Sequence, residues 1–193
     1  MLFDEAFQLC FIVYVNGNFI DEDKAKVSVF DRGFLFADAV YEVTAIIDGK
    51  ILEWDGHVKR LERSLKELDM KFPISETELL DIHFDLIKKN KLKEGLIYLQ
   101  VTRGEDDRSF DYPDESVKPT LVLFTQVKSL AESNIAKTGL KVISVPDMRW
   151  GRRDIKTVQL LAPSMCKMMA KKKNKDDAWM IPVSYTHIRA HET

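Results

Sequence analysis

Apolar and polar residues alternate along this chain with two different periods, and each switch of period marks a new element. In Tyr14-Val15-Asn16-Gly17-Asn18-Phe19-Ile20 apolar residues flank an Asn-Gly pair, which tolerates positive φ and predicts a tight hairpin. Residues 40–47 are rich in β-branched and aromatic side chains, and Asp48-Gly49 then predicts a second hairpin turn into Lys50-Ile51-Leu52. Beyond this point the period lengthens. Val58, Leu61, Leu65 and Leu68 share one face of a helix, with Asp55 as its expected cap. Ser75-Glu76-Thr77-Glu78 has the form of a capping box and opens a second helix with a buried stripe of Leu79, Ile82 and Leu86. The short period returns at residues 96–102 and 120–125, on either side of a polar loop from Gly104 to Lys118 that holds Pro113.

Strands, two helices, then strands predict an α+β layout rather than alternating βαβ units. Residues 14–126 read as a small N-terminal domain behind an extension of residues 1–13. Residues 127–139 read as a linker region, and Leu140-Lys141-Val142-Ile143-Ser144-Val145 begins a second domain spanning residues 140–181. Residues 157–173 have helical composition, although Pro163 predicts a break within them.

Composition limits the function classes. A chain of 193 residues with 45% hydrophobic side chains can build a real core in one large domain or two small ones. A net charge of −2 gives no electrostatic case for nucleic acid. The basic run Lys171-Lys172-Lys173-Asn174-Lys175 is followed by Asp176 and Asp177 and reads as a solvated helix end. No apolar stretch reaches membrane-spanning length, and Met1-Leu2-Phe3-Asp4-Glu5 carries acid where a secretory signal needs base. A soluble cytoplasmic protein is expected. Cys10 and Cys166 fit no metal spacing and are expected to be reduced thiols.

Candidate chemistry gathers at Arg149-Trp150-Gly151-Arg152-Arg153-Asp154-Ile155-Lys156. Three nearby arginines disfavour the protonated form of Lys156, and a neutral amine can attack a carbonyl carbon. Taken locally, a solvated surface lysine is the commoner case. Arg60 lies one turn into the first helix, where a guanidinium and free N–H groups can grip a phosphate; the plainer reading is a surface arginine. His57 reads as a helix-capping side chain, since no other His or Cys stands at metal spacing from it. Tyr41 is either a core phenol or a site-lining one, with Glu42 directed to the opposite face of the strand. Arg103 and Arg108 bracket a loop carrying Glu105, Asp106 and Asp107. Arg108 can take a carboxylate through its planar fork, or pair locally with these acids. There is no Gly-x-Gly-x-x-Gly, Walker loop or Ser-centred nucleophile elbow.

Together, five stretches in register resemble the class IV (fold type IV) pyridoxal-phosphate aminotransferases, in particular their D-amino-acid aminotransferase branch. They are Tyr14-Val15-Asn16-Gly17, Asp31-Arg32-Gly33-Phe34-Leu35-Phe36-Ala37-Asp38-Ala39-Val40-Tyr41-Glu42-Val43, His57-Val58-Lys59-Arg60-Leu61, Gln100-Val101-Thr102-Arg103-Gly104, and Arg149-Trp150 through Asp154-Ile155-Lys156. The resemblance implies a small N-terminal domain followed by a larger, mostly-β cofactor domain. It implies that Lys156 holds pyridoxal 5'-phosphate and later shuttles a proton, and that Arg60 binds the cofactor's phosphate. Tyr41 would face the pocket and contact the substrate carboxylate, and Arg108 would reach that carboxylate across a homodimer interface. The implied reaction moves an amino group between D-amino acids of the D-alanine type and 2-oxo acids such as 2-oxoglutarate. Branched-chain L-amino-acid aminotransferases and aminodeoxychorismate lyases are the alternatives on the same fold. Phe110 keeps the branched-chain option open, because D-amino-acid aminotransferases carry a histidine there.

The likeness stops after Ile181. The family has a glutamate in a Thr-Glu-Gly-Ser/Thr-Ser/Thr-Asn type segment that pairs with the cofactor ring nitrogen, and no counterpart follows here. Residues 182–193 are expected to be a non-family tail on a truncated member. The 193-residue chain is therefore expected to bind cofactor weakly, and a full-length parent to be active.

Overall fold

The computed structural model describes residues 11–182, which divide into two compact units. Cys10 and residues 183–193 of the expected tail lie outside the described residues. The first unit joins residues 11–133 to Asp154–Val158. Its strands are β1 (Ile12–Val15), β2 (Asn18–Asp21), β3 (Ala39–Ile47), β4 (Lys50–Ile51), β5 (Gly95–Thr102) and β6 (Thr120–Val127). They form one sheet in the order β2-β1-β6-β5-β3-β4, antiparallel throughout. Both expected hairpin turns form. Asn16 and Gly17 have φ of 46° and 92°, Asp48 and Gly49 of 50° and 71°, as primed turns require.

The period-two pattern decides which face is buried. Val40, Glu42, Thr44 and Ile46 of β3 lie beside Val101, Leu99, Ile97 and Gly95 of β5, and Leu121 and Leu123 of β6 continue the same face. That face packs on helices α2 (Trp54–Glu67) and α3 (Glu76–Lys89) through Leu61, Leu65, Leu79, Ile82 and Leu86. Asp55 does not cap α2: Glu53 holds the N-cap position in the left-handed region with no side-chain bond, and Asp55 falls within the first turn. There its charge still favours the helix dipole. Ser75 caps α3 as expected, accepting a hydrogen bond from Glu78 N at 3.2 Å.

His83 joins the buried stripe of α3 at the i+4 position from Leu79, a place the apolar pattern left unfilled. Its Nδ1 lies 2.8 Å from Leu79 O, which therefore accepts its proton, and its ring meets Trp54 edge-on at 4.9 Å. Burial pushes the His83 imidazole down from 6.5 to about 4. Between those values the unfolded chain binds the extra proton and the folded one does not. Stability contributed by the neutral ring is complete above pH 6.5 and is lost as pH falls toward 4, by about 3 kcal/mol. Urea melts across this range should show that slope, and His83→Leu should flatten it; an unchanged slope in the variant would assign it elsewhere.

β4 covers the outer edge of β3 only at Ile46 and Ile47. The open edge near Ala39 is covered by the segment Asp154–Val158: Tyr41 N donates to Lys156 O at 3.0 Å and Val158 N to Ala39 O at 3.2 Å. Ile155 anchors the segment in the core. Sequence order placed these residues inside the second domain; their backbone pairing and burial join them to the first unit.

The loop between β5 and β6 closes at its neck on Gly104. This residue has φ +108°, and an added Cβ would lie 2.2 Å from Lys118 O. Gly104→Ala is expected to cost more than about 2 kcal/mol, combining backbone strain with a clash against main chain that cannot yield. A urea midpoint equal to wild type would refute this. Before β3 a short helix, α1 (Arg32–Phe36), is capped by Asp31, which accepts from Gly33 N at 2.7 Å.

Among the described residues the second unit takes Asn134–Arg153 and residues 159–182. The expected linker contains a short helix, α4 (Asn134–Thr138). β7 (Val142–Pro146) pairs in parallel with β8 (Asp177–Ile181), and α5 (Leu161–Lys172) lies between them in sequence, as a parallel pair needs a crossover. Pro163 does not break α5. It lies in the first turn, where its missing N–H has no intrahelical partner to lose. Cys166 is a free buried thiol of this helix.

Candidate active site

Glu42 is a carboxylate on the core face of β3, 3% exposed at its side chain. Such a group needs partners, and α2 supplies two. Arg60 donates through Nε to Oε1 at 2.7 Å and through Nη2 to Oε2 at 2.5 Å. His57, three residues earlier on the same helix face, places Nδ1 2.8 Å from Oε2. Its expected capping role is therefore replaced by a hydrogen bond with Glu42, because it points at the sheet rather than at the helix end. Burial alone raises the Glu42 pKa, but the Arg60 and His57 hydrogen bonds and charges outweigh it and hold the carboxyl below the usual range. The same fork, against a weaker effect of burial, raises Arg60 above its ordinary value. Arg60 is half-exposed, and its Nη1 group makes no hydrogen bond among the described residues. That leaves N–H donors for an anion.

One turn beyond Arg60, buried Ser64 accepts from Lys156 N at 3.3 Å. Tyr41 N donates to Lys156 O. Lys156 is thus clasped at both backbone groups, from α2 on one side and β3 on the other. Arg63 adds a hydrogen bond to Asp154 O. Lys156 Nζ lies 4.0 Å from the centroid of the Tyr41 ring. Tyr41 stacks on Tyr98 at 5.6 Å, and Tyr98 on Phe124 at 4.9 Å, forming an aromatic row on the sheet face opposite Glu42. Burial, then the neighbouring Tyr41, pushes the Tyr98 phenol up to about 12, so it stays neutral. It donates to Gln100 Oε1 at 2.8 Å. The alternation expected at Tyr41 and Glu42 therefore holds, and it divides the lysine side of the strand from the arginine side.

The arginines upstream of Lys156 have their own partner. In the second unit Arg149 forks onto Asp147 at 3.0 and 2.8 Å, and Arg153 lies 3.4 Å from the same carboxylate. The Arg149 hydrogen bonds, with both positive charges, hold Asp147 down at about 2. A carboxylate at residue 147 thus takes up two of the three positive charges that sequence proximity assigned to Lys156.

Arg108 does not join this cluster. Its guanidinium lies 5.5 Å from the Phe36 ring and 5.8 Å from Phe110, and it forms no ion pair with Glu105, Asp106 or Asp107 among the described residues. Arg103 does not pair with those acids either. It donates to Asp38 at 2.7 and 3.1 Å, while its charge rests 3.7 Å above Tyr112. Glu42, Ser64, Tyr98 and Asp38 were all missed as site residues. The signal for Glu42 was present: an acid in the buried half of an alternating strand, followed by His and Arg three apart on a helix.

The Amino-transferase class IV family profile matches residues 39–184. D-alanine aminotransferase from Staphylococcus haemolyticus is 36% identical over 166 residues, covering 86% of this chain and 58% of the relative. The Bacillus licheniformis D-alanine aminotransferase is 34% identical over 169 residues, covering 88% and 59%. The chain thus spans somewhat over half the length of these relatives. Among solved structures, the Escherichia coli branched-chain amino acid aminotransferase superposes with a TM-score of 0.77 at 18% identity, over 90% of this chain and 60% of its own. A putative 4-amino-4-deoxychorismate lyase from Legionella pneumophila gives 0.71 at 23% identity, over 84% and 59%. These two establish the fold, and the profile match over most of the sequence establishes that the chain belongs to the class IV aminotransferases.

Proposed function

We propose that this chain carries the lysine-bearing part of a pyridoxal-phosphate-dependent aminotransferase acting between D-amino acids of the D-alanine type and 2-oxo acids. The observation that carries this reading is the clasp on Lys156, which fixes the backbone of a lysine whose amine lies beside the Tyr41 ring, against the helix that carries Arg60 one turn before Ser64. The residues fit the cofactor chemically. Arg60, stiffened by Glu42, would hold the phosphate through its outer N–H groups. Lys156 would hold the ring and move the proton at the substrate Cα. Bound pyridoxal phosphate supplies the electron sink for that carbon. Arg108 would take the substrate carboxylate, and its place beside Phe36 and the exposed Phe110 supports delivery from a partner copy in a cytoplasmic homodimer.

Relatives at 33–36% identity support the D-alanine preference. Phe110 favours a second reading, a branched-chain L-amino-acid aminotransferase, because it removes a basic group beside Arg108. Pyruvate formation by the whole protein from D-alanine, with and without 2-oxoglutarate, tests the proposal. Acceptor-dependent pyruvate supports it. Activity with L-leucine but not D-alanine selects the branched-chain reading, and acceptor-free pyruvate release from aminodeoxychorismate selects the lyase.

A further inference from the structure

We propose that Asp38 is a positioning residue that sets the Arg108 loop, an inference that rests on reading Arg108 as the carboxylate-binding group. Asp38 sits in the turn between α1 and β3, three residues before Tyr41, and its side chain is 10% exposed. Two guanidinium groups converge on it. Arg32 donates through Nε at 2.9 Å, and Arg103 through Nε and Nη2 at 2.7 and 3.1 Å. Both arginines are buried, so one carboxylate balances two desolvated cations.

Each guanidinium then reaches a different part of the unit. Arg103 continues to Leu68 O at 2.7 Å, at the C-terminal end of α2, the helix that carries Arg60. Arg32 continues through Nη1 to Ser109 O at 2.8 Å and Asp111 O at 3.2 Å, the residues just after Arg108. The Arg32 guanidinium also lies 4.6 Å from the Phe36 ring, which the Arg108 guanidinium approaches at 5.5 Å. Asp38 thus connects the helix of the phosphate arm to the loop of the carboxylate arm, and Arg32 is the link that reaches Arg108. An arginine held by a stacked ring and two tethered neighbouring carbonyls presents one fork geometry rather than many.

The experiment uses the whole protein with cofactor and compares Asp38→Asn, Arg32→Lys, Arg108→Ala and the two doubles with Arg108→Ala. Arg32→Lys retains the charge but loses the fork that spans Asp38 and the loop carbonyls, so it serves if Asp38→Asn fails to fold. Each single tether variant is expected to raise KM for the amino donor about tenfold while leaving cofactor affinity within about twofold. Tryptic cutting after Arg108 is expected to quicken in both. In the Arg108→Ala background the KM effect is expected to vanish. Full additivity there, or equal loss of cofactor affinity, would reduce Asp38 to a stability role and overturn the proposal. Unchanged tryptic cutting in both variants would overturn the tether itself. An unchanged KM in Arg108→Ala alone would overturn the functional reading of Arg108, while the cutting rates still decide whether Asp38 holds the loop.

Discussion

Lys156→Ala in the whole protein is expected to lower kcat by at least about 10³-fold while leaving the fold intact. The clasp that holds this position uses only backbone atoms of Lys156, its N donating to Ser64 Oγ and its O accepting from Tyr41 N, so alanine retains it. Ile155, the anchor of the segment, is unaltered. What disappears is the amine beside the Tyr41 ring, 4.0 Å from its centroid in the wild type. Arg60 is untouched, so cofactor should still bind through its phosphate, more weakly. Borohydride should then fail to fix the cofactor to the chain, whereas in wild type the label should map to Lys156. A melting temperature near wild type together with turnover within roughly tenfold of it would remove Lys156 from the mechanism.

Glu42→Gln should lower stability and cofactor affinity together. The buried carboxylate organises the Arg60 guanidinium and the His57 ring, and an amide turned toward Arg60 offers one acceptor where the fork needs two. We expect a loss of about 2 kcal/mol, at the lower end for a broken buried pair because Arg60 is half-exposed and can rehydrate. Cofactor affinity should fall about tenfold as the guanidinium loses its fixed aim. The acid dependence has a definite sign. The folded carboxyl titrates below its ordinary 4.5, so its contribution is complete above that pH and is lost as pH falls through the folded value. Glu42→Gln should therefore be less stable than wild type at neutral pH and converge with it in acid. Arg60→Ala should also cost stability, because it leaves the buried Glu42 carboxylate with His57 as its remaining partner, and it should reduce cofactor affinity more than Glu42→Gln because the phosphate-binding group itself is gone. Identical urea midpoints for Glu42→Gln and wild type at pH 7 would show that the network contributes nothing to the fold.

Much of the first unit was legible because its elements are local. Asn16-Gly17 and Asp48-Gly49 set turns through backbone conformations that Asn, Asp and Gly tolerate. Ser75 caps its helix because its hydroxyl reaches a backbone N–H three residues away. The errors arose where a local rule met a competing contact. His57 left the expected cap for the Glu42 carboxylate, Asp55 ceded the cap position to Glu53, and Pro163 entered a helix at the turn where it costs least. His83 was overlooked because a titratable side chain at a core position has no apolar signature, though its spacing from Leu79 and Leu86 placed it on the stripe.

Local chemistry along the chain set the periods and the turns, and the residues proposed for the reaction, Tyr41, Arg60, Arg108 and Lys156, stand as single letters in chain order. Tertiary structure alone decided their company. It brought Asp154–Val158 onto the edge of β3, gave Glu42 to Arg60 and His57, gave Asp147 to Arg149 and Arg153, and made Asp38 the meeting point of Arg32 and Arg103. The reason is that turn and helix preferences act over a few residues, whereas a buried carboxylate must be compensated by whichever cations the fold carries to it. That choice depends on distance in space, and separation along the chain does not encode it.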